Sequence, residues 1–190
     1  MENKRYEMRL AGSGGQGVIL ASVIFAEAAV ISGLRTVQSQ AYGPEARGGV
    51  SRAETVLSRE PIWYTKVTRP NFLLALNQSS LDAYAGTLAE GAVVMIDESL
   101  RIPEGLDPAR VLAVPILQTA RETVGKAFTA NIVAVGAINR ALRLFADEDL
   151  LEAVRRHIPA GTEDINRKAL AAGAALIPPE RAGAFAQNLE

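Results

Sequence analysis

Near the start of the 190-residue chain stands Gly12-Ser13-Gly14-Gly15-Gln16-Gly17, in which Gly12, Gly14 and Gly17 fit the spacing G-x-G-x-x-G. Glycines so spaced permit a tight turn and let a ligand approach the main chain. If a helix follows, its free N–H groups and the positive end of its dipole attract phosphate. A nicotinamide or flavin dinucleotide would also need an acidic residue at the end of the next strand, to hold its ribose hydroxyls. The stretch at that place, Thr36-Val37-Gln38-Ser39-Gln40, contains none. Nor does Gly-Lys-Ser/Thr end the turn, so it is not a P-loop. Three readings stay open: a phosphate-bearing ligand other than a dinucleotide, glycines that only pack a helix against a sheet, and, weakened by the missing acid, a dinucleotide.

A second loop, Tyr42-Gly43-Pro44-Glu45-Ala46-Arg47-Gly48-Gly49, is too rich in glycine and proline for regular structure. The Gly-Gly pair after Arg47 gives its guanidinium room to grip a carboxylate or phosphate with two hydrogen bonds. Pairing with Glu45 is the plainer alternative. Tyr42 would cover a ligand or plug the edge of the core. Asn131, a polar residue at the entrance of an apolar helix, reads either as a helix-start hydrogen bonder or as a ligand contact, and Asn139 poses the same choice. His157 suits the end of a helix, where positive charge is favoured.

Composition narrows the chemistry. With no cysteine and one histidine, the chain cannot itself ligate an iron–sulfur cluster or use a thiol nucleophile. A net charge of −1 argues against general nucleic-acid binding. Residues 1–69 carry nine Lys/Arg against six Glu, and residues 70–190 carry eleven against fifteen acidic residues. The mildly cationic first part suits a small anionic ligand. Lys4, Arg5, Glu7 and Arg9 are unlike a secretory signal, and Glu27 and Ser32 interrupt the most apolar run, Val18–Leu34. A soluble, cytoplasmic protein without a membrane span is the expectation.

The elements that must place these residues follow from pattern. Tyr6–Ala11 reads as a strand, the apolar run to Ile31 as a helix stopped by Gly33, and Arg35–Gln40 as a second strand, the opening of a βαβ unit. Val50–Ser58, Ile62–Val67, Asn71–Asn77, Ala92–Asp97 and Val111–Leu117 read as further strands. Trp63 and Tyr64 then lie on an edge strand, facing a partner or the core. Ser79–Leu88 reads as a short helix with serine at its cap. From Phe128 the pattern is helical: Ala130, Ala134, Ala137 and Ala141 form a small-residue stripe that lets a neighbouring backbone come close. Asp147–His157 and Thr162–Ala175 complete the helices. The fold expected is α/β, a single three-layer α/β/α domain with a largely parallel sheet, a Rossmann-like start and a helical C-terminal third. It spans 1–177, with 178–190 as a tail. In an open sheet of that kind, both loops leave the C-terminal ends of strands and stand at one rim.

The two loops together carry a resemblance. Gly12-Ser13-Gly14-Gly15-Gln16-Gly17, followed by Gln38-Ser39-Gln40-Ala41-Tyr42-Gly43-Pro44-Glu45-Ala46-Arg47-Gly48-Gly49-Val50-Ser51, resembles the gamma subunit of 2-oxoacid:ferredoxin oxidoreductases. The likeness runs on through Phe72–Asn77, Val93–Asp97 and Asn131–Ala137 to about Leu176. The Tyr-Gly-Pro-Glu-x-Arg-Gly-Gly form is most similar to the 2-oxoglutarate branch, with pyruvate, branched-chain and aryl-glyoxylate relatives as alternatives. The resemblance implies a complex that oxidatively decarboxylates a 2-oxoacid onto coenzyme A and passes electrons to ferredoxin. It places thiamine diphosphate, magnesium and 4Fe-4S clusters in alpha, beta and ferredoxin-like delta partners, and leaves this chain without a catalytic residue. It implies that the gamma chain handles coenzyme A, with Gly12, Gly14, Gly15 and Gly17 giving N–H groups or clearance. Ser13 and Gln16 would add hydrogen bonds, Tyr42 a cover, Arg47 an anion contact and Asn131 a further contact. A purely structural subunit and a stand-alone dinucleotide-binding enzyme are the competing readings.

Overall fold

In a computed structural model that describes residues 5–42 and 50–186, the chain forms one mixed sheet with helices on both faces. In chain order the elements are β1 (Arg5–Ser13), α1 (Val18–Ile31), β2 (Arg35–Tyr42), β3 (Val50–Ser58), β4 (Phe72–Ala75), α2 (Gln78–Tyr84), β5 (Val93–Asp97), β6 (Val111–Val114), α3 (Ile116–Gln118), α4 (Ala130–Leu142), α5 (Asp147–His157) and α6 (Glu163–Ala175). The sheet order is β2-β3-β1-β4-β5-β6. β4, β5 and β6 run parallel to β1, whereas β3 is antiparallel to both β1 and β2.

The opening βαβ unit is therefore split. β1 and β2 are parallel, as the pattern predicts, but β3 returns between them. Alternation along β1 sorts its side chains: Tyr6, Met8 and Leu10 join Phe72 and Leu74 in the main core, with Ile24 and Phe25 of α1 and Ile132, Val133 and Val135 of α4. The opposite face is thinner, with Leu73, Ala75, Val94 and Ile96 packed under Leu81 of α2. Strands β4 and β5 are buried on both faces, which explains their unbroken apolar runs.

Three expectations change. Ile62–Val67 is not a strand: guanidiniums reaching from β1 bond its carbonyls instead, from Arg5 to Tyr64 and Lys66 and from Arg9 to Val67. The cap of α2 is Asn77, whose side chain accepts from the Ser80 N–H at 2.8 Å, and no serine serves there. The strand expected over Val111–Leu117 stops at Val114, because Pro115 starts the short helix α3, after which Thr119–Val124 winds as a π-turn. Residues 178–186 fold back onto α4, where Gly183 N–H donates to the Arg140 carbonyl.

Helix α4 is the pillar of the helical layer. Twelve of its thirteen residues are buried, leaving Arg140 outside. The close approach expected along its alanine stripe occurs at Gly136 and Gly173, where α4 and α6 meet backbone to backbone. Placement this tight fixes where the N-terminus of α4 points, which matters for the site.

Candidate functional site: the glycine turn

Strand β1 runs through Gly12 and Ser13, which pair with Ser51 and Val50 of β3. On the other side of β3, Tyr42 ends β2 opposite Ser51. The turn after β1 and the end of β2 thus share one rim, one strand apart, as the loop arrangement requires. Arg47 falls in 43–49, outside the described residues, as does the rest of the second loop.

The turn itself is shaped by Gln16. Its side-chain oxygen accepts from the Ser13 N–H at 2.7 Å and its nitrogen donates to the Leu76 carbonyl at 3.1 Å. Gln16, expected to offer hydrogen bonds to a ligand, directs them inward and ties the end of β1 to the end of β4. A Cβ at Gly12 would stand 2.6 Å from that same oxygen, so glycine there makes room for the tie. Beyond it, Gly14 and Gly15 are exposed. The N–H groups of Gly14, Gly15 and Gly17 have no acceptor among the described residues.

Gly17 caps α1 in the left-handed region, φ 70° and ψ 20°. Besides that backbone demand, a Cβ there would lie 2.7 Å from the Asn131 side-chain nitrogen and 2.8 Å from its Cγ. Asn131 is the second residue of α4, and it is 4% exposed. Its amide makes no hydrogen bond among the described residues. The amide therefore sits in the notch that glycine leaves, and two helix N-termini converge on one turn. Neither α1 nor α4 carries an acidic residue in its first turn, whereas α5 opens with Asp147, Glu148 and Asp149 and α6 with Glu163 and Asp164. Acidic side chains compensate the dipoles of the outer helices. At the glycine turn both positive ends and several free N–H groups are left to an anion.

The same rim holds a residue that sequence reasoning passed over. Asp97, buried at the end of β5, accepts from Ser99 Oγ at 2.6 Å and from the Leu117 N–H at 2.8 Å. Its carboxylate fastens the loop after β5 to the start of α3. Another missed residue is Arg9, 4% exposed, which meets Glu54 at 2.7 Å, Thr87 Oγ1 at 2.9 Å and the ring of Tyr84 at 4.9 Å. A cation at an inward position of an apolar strand was its signal. Asn139 bonds the N–H and C=O of Phe145, each at 3.1 Å, so it closes the turn between α4 and α5. His157 ends α5 with Nε2 3.3 Å from Glu27. Glu27 lies ten residues beyond Gly17 along α1, about 15 Å from the turn at the helical rise.

Among the described residues, no three His, Asp or Glu gather as a metal site, and no helix is long and apolar enough to cross a membrane. A cavity of about 560 Å³ opens between α4, α5 and α6, with Gly136, Leu150, Leu170 and Ala174 in its walls. The glycine turn contributes nothing to it. At the turn, Gly14 and Gly15 lie exposed on the rim.

Comparison with known proteins identifies the family and the fold. The family described as pyruvate ferredoxin/flavodoxin oxidoreductase matches residues 7–176. A 2-oxoglutarate synthase subunit KorC from Methanocaldococcus jannaschii is 40% identical over 89% of this chain and 92% of its own length. The crystal structure of a keto/oxoacid ferredoxin oxidoreductase gamma subunit from Geobacter sulfurreducens superposes with a TM-score of 0.80 at 40% identity, over 90% of this chain and 95% of that one. A 2-oxoglutarate:ferredoxin oxidoreductase from Magnetococcus marinus, solved with 2-oxoglutarate, coenzyme A and succinyl-CoA bound, gives 0.78 at 25% identity, over 92% of this chain and 31% of that longer one.

Proposed function

The chain belongs to the pyruvate ferredoxin/flavodoxin oxidoreductase family, as the gamma subunit of a 2-oxoacid:ferredoxin oxidoreductase, and from that premise we propose that its glycine turn holds coenzyme A for the acyl transfer. 2-Oxoglutarate is the substrate on this reading, and the product is succinyl-CoA. The support is that the M. marinus relative is described with both bound, and that the M. jannaschii relative is named a 2-oxoglutarate synthase subunit.

The carrying observation is the convergence at Gly17. Two uncompensated helix N-termini, the unpaired Asn131 amide and the open N–H groups of Gly14 and Gly15 form a cradle for the phosphates of the carrier. Such a ligand needs no acidic ribose clamp, in keeping with Thr36–Gln40. Asn131 and the N–H groups bind, while Gln16 and Gly12 set the shape of the turn. On this reading Tyr42 adds a cover and Arg47 an anion contact, as the resemblance implies. Ser13, half-buried beside the turn, offers its hydroxyl.

The contribution of this chain is positioning: it brings the thiol of coenzyme A to an acyl group generated on its partners. With no cysteine for clusters, electron transfer falls to those partners. Thiamine diphosphate, magnesium and 4Fe-4S clusters sit with alpha, beta and ferredoxin-like delta subunits, ferredoxin takes the electrons, and the complex works in the cytoplasm.

Exchange of Gly14 for Val tests the assignment. A Cβ at Gly14 meets nothing within 4 Å and its backbone is not left-handed, so the variant should fold. The branched side chain instead occupies ligand space. The expected result is a KM for coenzyme A raised at least 10-fold, about 1.4 kcal/mol of lost binding, with the KM for the 2-oxoacid unchanged. An assembled variant with an unaltered KM for coenzyme A rejects the cradle in favour of a purely structural subunit.

A further inference from the structure

The crossing from β3 to β4, residues 59–70, carries the chain's single tryptophan, and Trp63 is 91% exposed, with Tyr64 beside it 56% exposed. Elsewhere the large side chains Phe25, Phe72 and Tyr6 are fully buried, and Phe128, 62% exposed, is the next most exposed after Trp63 among the large apolar side chains of the described residues. An indole left in water on a protein with a well-filled core is a typical anchor of a protein–protein contact. We infer that Trp63 is the tip of a preformed docking knob, and that it inserts into an apolar pocket with an acidic rim on a partner subunit of the same oxidoreductase.

The segment has no regular secondary structure, yet it is held. The Arg5 guanidinium bonds the carbonyls of Tyr64 and Lys66, Arg9 bonds that of Val67 at 2.9 Å, and the Glu60 N–H donates to Ser58 Oγ at 3.0 Å. Val67 is buried, while the residues around Trp63 face water. A backbone pinned on both sides of the tip loses little freedom on docking, which is how a small contact gains affinity.

Charge selects the occupant. Residues 59–69 hold Arg59, Lys66 and Arg69 against Glu60, and all four are exposed. A second copy of this chain would set this cationic segment against itself, whereas an acidic rim complements it. The M. marinus relative adds that a unit of this fold makes up only 31% of a longer chain, so the module exists there as part of a larger body. The knob hangs from Arg5 and Arg9, the first and the central residue of β1. The glycine turn follows Ser13 at the other end, roughly 26 Å from Arg5 at the rise of a strand. Docking at the knob therefore leaves the cradle free.

Hydroxyl-radical footprinting of the assembled complex and of the isolated full chain, read by mass spectrometry, tests the inference. Trp63 is expected to oxidise rapidly in the isolated chain and at least 10-fold more slowly in the complex. In a binding assay, Trp63→Ala should weaken association with the other subunits by about 30-fold or more, and Arg69→Glu by a smaller factor that shrinks with added salt. The circular dichroism and Tm of both isolated variants should match the wild type. Equal oxidation in the two states, or wild-type association of Trp63→Ala, overturns the proposal. Protection already present in the isolated chain, with a dimer mass by light scattering, assigns the patch to a second copy and overturns it equally. The inference rests on membership of the complex and not on the coenzyme A reading: a Gly14→Val complex should keep the Trp63 protection whatever becomes of its KM.

Discussion

Gly173 of α6 lies against the main-chain carbonyl of Val133 in α4, with no space between them for a methyl group. One turn along, the relation is reversed, and Gly136 of α4 meets the Leu170 carbonyl of α6. These glycines are not there for backbone freedom, since both sit in ordinary helix. They let two axes close to backbone contact, and so lock the helix that carries Asn131. A Gly173→Ala chain must push α6 away from α4, and we expect a loss of about 2–3 kcal/mol of stability in urea unfolding. Gly86→Ala is the control: nothing lies within 4 Å of the added atom, and its midpoint should stay within error of the wild type.

Asn131 allows binding and folding to be separated. Its amide has no hydrogen-bond partner among the described residues, so Asn131→Ala removes no bond to them and should change stability by no more than about 1 kcal/mol. For the complex, the same change should raise the KM for coenzyme A by about 10-fold, the value of one hydrogen bond to a charged group. Asn131→Asp puts a negative charge beside the phosphates and should raise it further. Initial rates at varied coenzyme A, with the 2-oxoacid saturating, decide the point. A wild-type KM in the Asp variant would remove Asn131 from the cradle.

How far the sequence foretold this depends on the kind of force involved. Val93–Asp97 declared itself because burial on both faces leaves an unbroken apolar run, and α1 because its apolar run sits between a glycine turn and Gly33. The antiparallel return of β3 between β1 and β2 did not, since periodicity sets which residues face the core and says nothing of strand order. Ile62–Val67 has the residues of a strand, but Arg5 and Arg9 claim its carbonyls, a tertiary effect that propensity cannot see. The glycine spacing located the turn. The notch shared by Gly17 and Asn131 joins residues far apart in the chain and emerges only once α4 is docked. Local sequence cannot distinguish a Gln16 amide bonding outward to a ligand from one bonding the Leu76 carbonyl, so that tie emerges only in the fold.

The buried pair of Arg9 and Glu54 gives a third expectation. Arg9 is 4% exposed and Glu54 8%, with the guanidinium also over the ring of Tyr84. Glu54→Gln leaves a buried cation without its counter-charge, and should cost about 3–5 kcal/mol in urea unfolding. Replacing both, as Arg9→Met with Glu54→Leu, removes the charge that needs compensation and should recover much of that loss. A single variant as stable as the wild type would mean that Thr87 and the Val67 carbonyl satisfy Arg9 unaided.

Glu27 couples α1 to α5 and makes part of the stability depend on pH. A hydrogen bond from Arg156 at 2.7 Å, and secondly one with His157, hold its carboxyl below the usual carboxylate range. A carboxylate depressed in the folded state adds stability that is fully present above its unfolded pKa, about 4.3 for Glu. That contribution is lost progressively as pH falls from there through the lower folded value, because the unfolded chain takes up the proton first and the folded protein only at lower pH. Glu27→Gln should therefore be less stable than the wild type at pH 6, and the gap should close steadily as the pH drops below 4. The effect should be modest and should diminish in high salt, since Arg156 is half exposed and also bonds Glu152 at 3.0 Å. Urea unfolding of both proteins at pH 6, 4.5 and 3.5 measures the gap. If it stays constant across that range, the ion pair contributes nothing that protonation can remove, and α1 is held to α5 by apolar packing alone.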